Sequence, residues 1–136
     1  VEIAQYYLTK GDKNKALEYY QQALSLESDN FGVLRNILLL HIDLMQYDEA
    51  ASKSKSALDK YPSIPIIYLI NGVALNKLKR AEEAVSILEA GLDYIIDDTK
   101  MEIDFYNQLS VAYTLLNNES KAKAFSDKAK KLETPN

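Results

Sequence analysis

Apolar residues recur at three- and four-residue intervals along the whole chain, and no long stretch alternates with period two. That is the helical period rather than the strand period, and it predicts an all-α chain. Breaks in the pattern divide it into eight predicted helices, near 1–10, 13–27, 31–44, 47–60, 64–78, 81–97, 101–116 and 119–132. The breaks carry residues that end and begin helices. Gly11-Asp12 closes the first helix and opens the second, and Asp29-Asn30 is placed to cap the third. Tyr61-Pro62-Ser63 stops the fourth, Ser63 is the expected cap of the fifth, and Pro65 suits its first turn. Asn117-Asn118 separates the last two.

The pattern also repeats at long range. Ala16, Ala50 and Ala84 are spaced 34 residues apart, and Ala23, Ala57 and Gly91 follow each of them by seven. A fourth copy, Ala122 and Ala129, keeps the internal spacing of seven but arrives 38 residues after the third. Four extra residues therefore lie between the third and fourth units, near 99–102 within Asp97-Asp98-Thr99-Lys100-Met101-Glu102. Four residues are about one helical turn, so the insertion either lengthens the flanking helices or makes a longer loop at one edge. Small side chains at these positions let two helices joined by a short loop approach closely. Ala4, Gly72 and Ser110 supply the facing small surface on the first helices, while Leu38 departs from it and implies a wider or shifted crossing. A single hairpin leaves its apolar face open, and stacking hairpins makes one continuous core.

A 34-residue helix–turn–helix unit with these small residues resembles the tetratricopeptide repeat. The second unit shows Leu34, Ile37, Leu38 and His41, then Ala50, Ala57 and Pro62. The third shows Tyr68, Asn71, Gly72 and Leu75, then Ala84, Leu88, Gly91 and Ile96. The fourth shows Tyr106, Leu109, Ser110 and Tyr113, then Ala122 and Ala129, with Pro135 one place late. The first is partial: Ile3, Ala4, Tyr7, Ala16, Tyr20 and Ala23. The resemblance implies a single domain over 1–136, with repeats at about 1–30 (partial), 31–64, 65–98 and 103–136. It implies a right-handed superhelix, or α-solenoid, of about four antiparallel hairpins. It points to the bacterial members of the family and to a fragment of a longer array, since Val1 falls partway into a repeat's leading helix.

Composition narrows the chemistry. The net charge of −4 argues against general nucleic-acid binding, which needs a positive surface to displace counterions from phosphate. Residues 119–136 carry five lysines and three acids, a net of +2, against −6 over residues 1–118; a lysine-rich last helix reads first as a solvated end face. Without cysteine there are no disulfides, thiolate metal sites or cysteine nucleophiles. No apolar run approaches the roughly 20 residues of a membrane span, so this segment is not expected to insert. No signal sequence is visible, and the cytoplasm and a bacterial periplasm or cell envelope both fit.

No catalytic or metal constellation emerges, and no cofactor is expected. The one histidine, His41, stands where Tyr7 and Tyr113 stand in their repeats and reads as a packed residue. The acidic pairs Asp48-Glu49 and Glu82-Glu83 sit at helix starts, where they suit the helix dipole. Asp97-Asp98 lacks the spaced oxygen ligands of a calcium loop. Glycine-rich phosphate loops and the Gly-x-Ser-x-Gly turn do not occur. The chain is therefore expected not to be an enzyme. Of its ten tyrosines, Tyr7, Tyr20, Tyr68, Tyr106 and Tyr113 fall at the family's internal packing positions.

The resemblance also implies where a ligand would lie. First helices line the concave side of such stacks, which places Gln5, Leu8 and Thr9 there, then Arg35, Asn36, Leu39, Ile42 and Asp43. Ile66, Leu69, Ile70, Val73, Asn76 and Lys77 follow, then Asp104, Asn107, Gln108, Val111, Thr114 and Leu115. Members that clamp a C-terminal carboxylate use lysine, arginine and asparagine from three successive first helices. Here only Arg35 and Asn36 are of that kind and close together, and the middle of the groove is Leu39, Ile66, Leu69, Ile70 and Val73. An aliphatic groove suits a peptide or amphipathic helix of another protein with apolar anchors. The alternative is a self-association module, whose groove packs against another copy or other parts of the same protein.

Overall fold

The computed structural model describes residues 1–134; Pro135, singled out above, lies outside the described residues. These residues form eight helices and no strand. They are α1 (Glu2–Thr9), α2 (Lys13–Leu26), α3 (Phe31–Asp43), α4 (Tyr47–Lys60), α5 (Pro65–Lys77), α6 (Ala81–Leu92), α7 (Thr99–Leu115) and α8 (Glu119–Glu133). They group into two compact units, Val1–Ala50 and a second from Ala51 onward.

Helix starts follow the side chains available. Asp12, Asn30, Asp98 and Asn118 each accept a hydrogen bond from the backbone N–H three residues on, at 3.0–3.1 Å, which satisfies an amide the helix leaves open. Ser63 is not the cap of α5. Pro65 takes the first turn, and Ile64 holds the cap position in extended backbone without a side-chain bond. Proline at that point restricts the residue before it to extended geometry and has no N–H needing a partner.

The turn inside each repeat is built the same way four times. Asp12, Gln46, Arg80 and Asn118 donate their backbone N–H to the carbonyls of Tyr7, His41, Leu75 and Tyr113, at 2.8–2.9 Å. The residue just before each donor lies in the left-handed region: Gly11, Met45, Lys79 and Asn117, with φ between 58° and 83°. This six-residue closure is the Schellman end of a helix, which favours glycine. Only the first repeat has glycine there. A side chain in this region costs about 1–2 kcal/mol, partly offset by the entropy glycine loses on folding. Met45, largely exposed, is therefore expected to gain about 0.5–1 kcal/mol on Met45→Gly, read as a higher urea midpoint at unchanged slope.

In the first unit, α1, α2 and α3 share one core. Ala4, Ala16, Leu17, Tyr20, Val33, Ile37 and Leu40 are buried together, with Ala23, Leu24 and Leu44 packed against them. In the second unit α5 pairs with α6, α7 with α8, and α7 packs on both α5 and α6. Gly72 of α5 lies against Leu88, and Gly91 of α6 lies against both Tyr68 and Phe105, with no room for a Cβ at either glycine.

The third and fourth repeats are joined differently from the sequence expectation. The helix predicted over 81–97 ends at Leu92, and residues 93–98 leave the helical path, with Asp97 at φ 49° and Asp98 capping α7. Tyr94, just past the end, stacks its ring on Tyr68 at 5.5 Å between centroids. The four additional residues appear in the next helix: α7 has 17 residues against 13 in α3 and in α5.

Candidate functional site

The first helices α1, α3, α5 and α7 carry the positions at which a ligand was expected. In the first unit, Arg35 and Leu39 of α3 are exposed, Leu39 by 39%, while Asn36 and Ile42 are half-buried. In the second unit Val111 is 43% exposed and Asn107 is exposed, while Ile66, Val73 and Gln108 are half-buried.

Leu69, Ile70 and Asn76 depart from the expected exposure: all three are buried. The reason lies in α5 itself. Nine of its residues are buried, from Ile67 to Asn76, and a helix apolar nearly all round is one that neighbours cover on several sides. Asn76 also has a structural partner. Its Nδ2 donates to the backbone carbonyl and to Oε1 of Gln108, both at 3.0 Å, tying α5 to α7. Asn76 and Gln108, both expected to face a ligand, thus bind each other. The Oδ1 of Asn76 is buried without a hydrogen-bond partner.

A second amide serves the α4–α5 contact. The Nδ2 of Asn71 donates to the Ala51 carbonyl and to Ser54 Oγ, both at 2.9 Å, and Ser54 Oγ donates to the same carbonyl. A buried amide must be satisfied where it lies, so the hydroxyl and the amide fix one helix register on the other.

The aromatic residues sort into repeat-internal stacks. Tyr7 and Tyr19 stack nearly parallel at 5.4 Å, and Lys15 Nζ sits 5.1 Å over the Tyr7 ring. In the fourth repeat Tyr113 and Phe125 stack at 5.7 Å, with Lys121 Nζ 5.2 Å over Tyr113. The two sets correspond position for position. Such cation–ring contacts contribute about 0.5–1 kcal/mol each at exposed sites. Two of the lysines that make the sequence end basic, Lys121 and Lys128, therefore rest on rings, and Lys123 pairs with Asp127 at 2.8 Å. The sequence held a signal for this arrangement. In the first and last repeats, at equivalent positions, a lysine follows a tyrosine by eight residues and an aromatic residue follows the lysine by four.

Tyr68 is a buried tyrosine with a displaced titration. Its hydroxyl donates to the Pro62 carbonyl at 2.5 Å. Burial, then the neighbouring Tyr94, hold its pKa above the ordinary tyrosine value. A raised folded-state pKa means that the stability from this group is complete below the unfolded value, about pH 10, and is lost as pH rises through the folded value. Unfolding midpoints should therefore fall above about pH 10, with a shallower fall in Tyr68→Phe.

His41 is buried, and its Nδ1 lies 2.7 Å from Gln46 Oε1. Among the described residues, no group of three or more histidine or acidic side chains is arranged to hold a metal ion, and no helix is long and apolar enough to cross a membrane.

Helical hairpins repeated at this spacing, each closed by the same turn, define the class: a helix–turn–helix repeat protein. The family model for the tetratricopeptide repeat matches residues 1–30 and 103–136, the first and last repeats, which also share the lysine–aromatic stack. These two repeats thus match the tetratricopeptide repeat in sequence, and the chain as a whole has the fold of that family. Solved structures agree over nearly its whole length. MamA AMB-1 matches with a TM-score of 0.80 at 21% identity, covering 96% of this chain and 75% of that one. MamA from Desulfovibrio magneticus RS-1 matches with 0.82 at 16%, covering 97% and 72%. A thermophilic tetratricopeptide-repeat protein of Thermus thermophilus matches with 0.77 at 20%, covering 97% and 72%. At these identities the likeness shows the fold. No curated protein matches the sequence.

Proposed function

We propose that this chain is a non-enzymatic protein-interaction module whose first helices hold an apolar segment, peptide or helix, of a partner protein. The observation that supports this most is the aliphatic surface left open at first-helix positions: Leu39 in the first unit and Val111 in the second, with Ile42, Ile66 and Val73 partly open. Isolated apolar side chains on a surface are ordinary, but here each unit carries them on its own first helices. Polar groups lie beside them in sequence, Arg35 and Asn36 on α3 and Asn107 on α7. The partner segment would then present a few aliphatic anchors between polar residues rather than a charged tail.

Selection of a displayed random peptide library on the immobilised chain tests this. Enriched peptides should carry Leu, Ile, Val or Phe at regular spacing, and their affinity should fall about tenfold or more in Leu39→Asp or Val111→Asp, the loss of a desolvated anchor. Both positions are exposed, so the variants should stay folded. Unchanged affinity in both would sink the proposal. The same variants address the second reading, self-association: a dimer by light scattering that Leu39→Asp or Val111→Asp converts to monomer would favour it.

A further inference from the structure

One side chain where α5 meets α7 has its direction fixed before any partner arrives. The Nδ2 of Asn76 on α5 meets two oxygens of Gln108 on α7, the backbone carbonyl and Oε1, each at 3.0 Å. A carbonyl only accepts, so Asn76 must turn its amide nitrogen, and not Oδ1, toward α7. That nitrogen also faces the Gln108 side chain, which must answer with its own oxygen. The Gln108 Nε2 is thereby turned away from Asn76 with both its donors unspent. Among the described residues Nε2 makes no hydrogen bond, and Asn76 Oδ1 is the side-chain atom that is both buried and unpartnered. Nε2 is therefore open to the surface.

The neighbours of this donor are aliphatic. Val111, exposed, lies three residues on along α7, and Val73, half-buried, lies three residues before Asn76 on α5; residues three apart share one side of a helix. The acid one turn back on α7, Asp104, is taken by Lys100 at 2.7 Å. A donor in such a setting favours a partner that brings both apolar surface and an unpaired acceptor. A helix brings the first but not the second, because its carbonyls are bonded to its own N–H groups except in the last turn. It would strip water from Nε2 and return nothing. An extended segment brings both: its carbonyls are unpaired along its length, and alternate side chains point to the same side.

We infer, resting on the interaction role proposed above, that Gln108 Nε2 donates to a backbone carbonyl of an extended partner segment, and that Asn76 is its positioning residue. The choice between peptide and helix then falls to the extended peptide. Gln108→Glu is the discriminating variant. A glutamate oxygen still accepts from Asn76, so the urea midpoint should move little, while the outward donor becomes an acceptor. Peptides enriched from a displayed random library on the unaltered chain should carry apolar residues at every second position. They should bind Gln108→Glu about tenfold more weakly, the loss of one hydrogen bond. An amide-to-ester replacement, which weakens one peptide carbonyl, should at one position cost about threefold or more against the unaltered chain and nothing further against Gln108→Glu. In the free chain, the heteronuclear NOE of the Gln108 side-chain amide should approach that of the α7 backbone, and that of exposed Asn107 should not. Binding that Leu39→Asp or Val111→Asp weakens but Gln108→Glu leaves intact overturns this inference and leaves the interaction role standing. Enriched peptides that bind as helices, or a coupling to an acidic side chain of the peptide and to no ester, do the same. A library that yields no peptide sensitive to Leu39 or Val111 overturns both. A freely turning Gln108 amide in the free chain overturns the positioning by Asn76.

Discussion

Phe105→Ala is expected to destabilise the protein by about 3–5 kcal/mol, the range for emptying a buried aromatic site. Phe105 is fully buried on α7 and reaches the backbone of α6 at Gly91. Removal of its ring leaves a cavity between two helices whose approach is set by a glycine, so neither backbone can close on it without shifting the Tyr68 contact at the same glycine. Chemical denaturation should show a lower midpoint. Hydrogen exchange should show lost protection at the α6 and α7 amides first, because repeat arrays open locally around the weakened contact. A loss below about 1 kcal/mol would mean that the site collapses freely, and the close α6–α7 packing would then be wrong.

The second large effect is a coupling. Gly72 of α5 and Leu88 of α6 pack so closely that a Cβ at residue 72 would fall on the Leu88 side chain. Gly72→Ala should therefore cost about 1–3 kcal/mol by overpacking, even though alanine is the better helix former by about 1 kcal/mol. Leu88→Ala alone, at a fully buried position, should cost about 2–5 kcal/mol. The double variant should be less destabilised than the sum of the two, by at least about 1 kcal/mol, since the new methyl group then occupies space the leucine has left. Additivity within about 0.5 kcal/mol would show that the two residues do not compete for the same volume.

Small-residue positions were legible in the sequence because they recur at one spacing; that Gly72 meets Leu88 and not another residue was not. The buried state of Leu69, Ile70 and Asn76 was hidden for a related reason. In most of these helices the apolar residues mark one face, and the remaining face can be assigned to solvent or to a ligand. Along α5 they run almost all round, so periodicity names no open side, and only the neighbouring helices decide which residues they cover. The helix expected over 81–97 runs past its observed end because Tyr94, Ile95 and Ile96 continue an apolar run. Their chain leaves the helix where Tyr94 finds the Tyr68 ring, a contact 26 positions back in sequence. The stacks of Lys15 and Lys121 on Tyr7 and Tyr113 were visible as a spacing, yet nothing local distinguishes a lysine over a ring from one in solvent.

By itself, then, the sequence determined the eight helices, the repeat that pairs them and most of their caps. Each of these depends on interactions within one helical turn or on a spacing that the chain carries four times. The tertiary structure decided which side of each first helix remains open. It bonds Asn76 to Gln108 between two first helices, and it leaves Leu39 and Val111 exposed. Exposure is a property of what packs against a residue from every side, and a one-dimensional pattern records only the side facing its own helix partner.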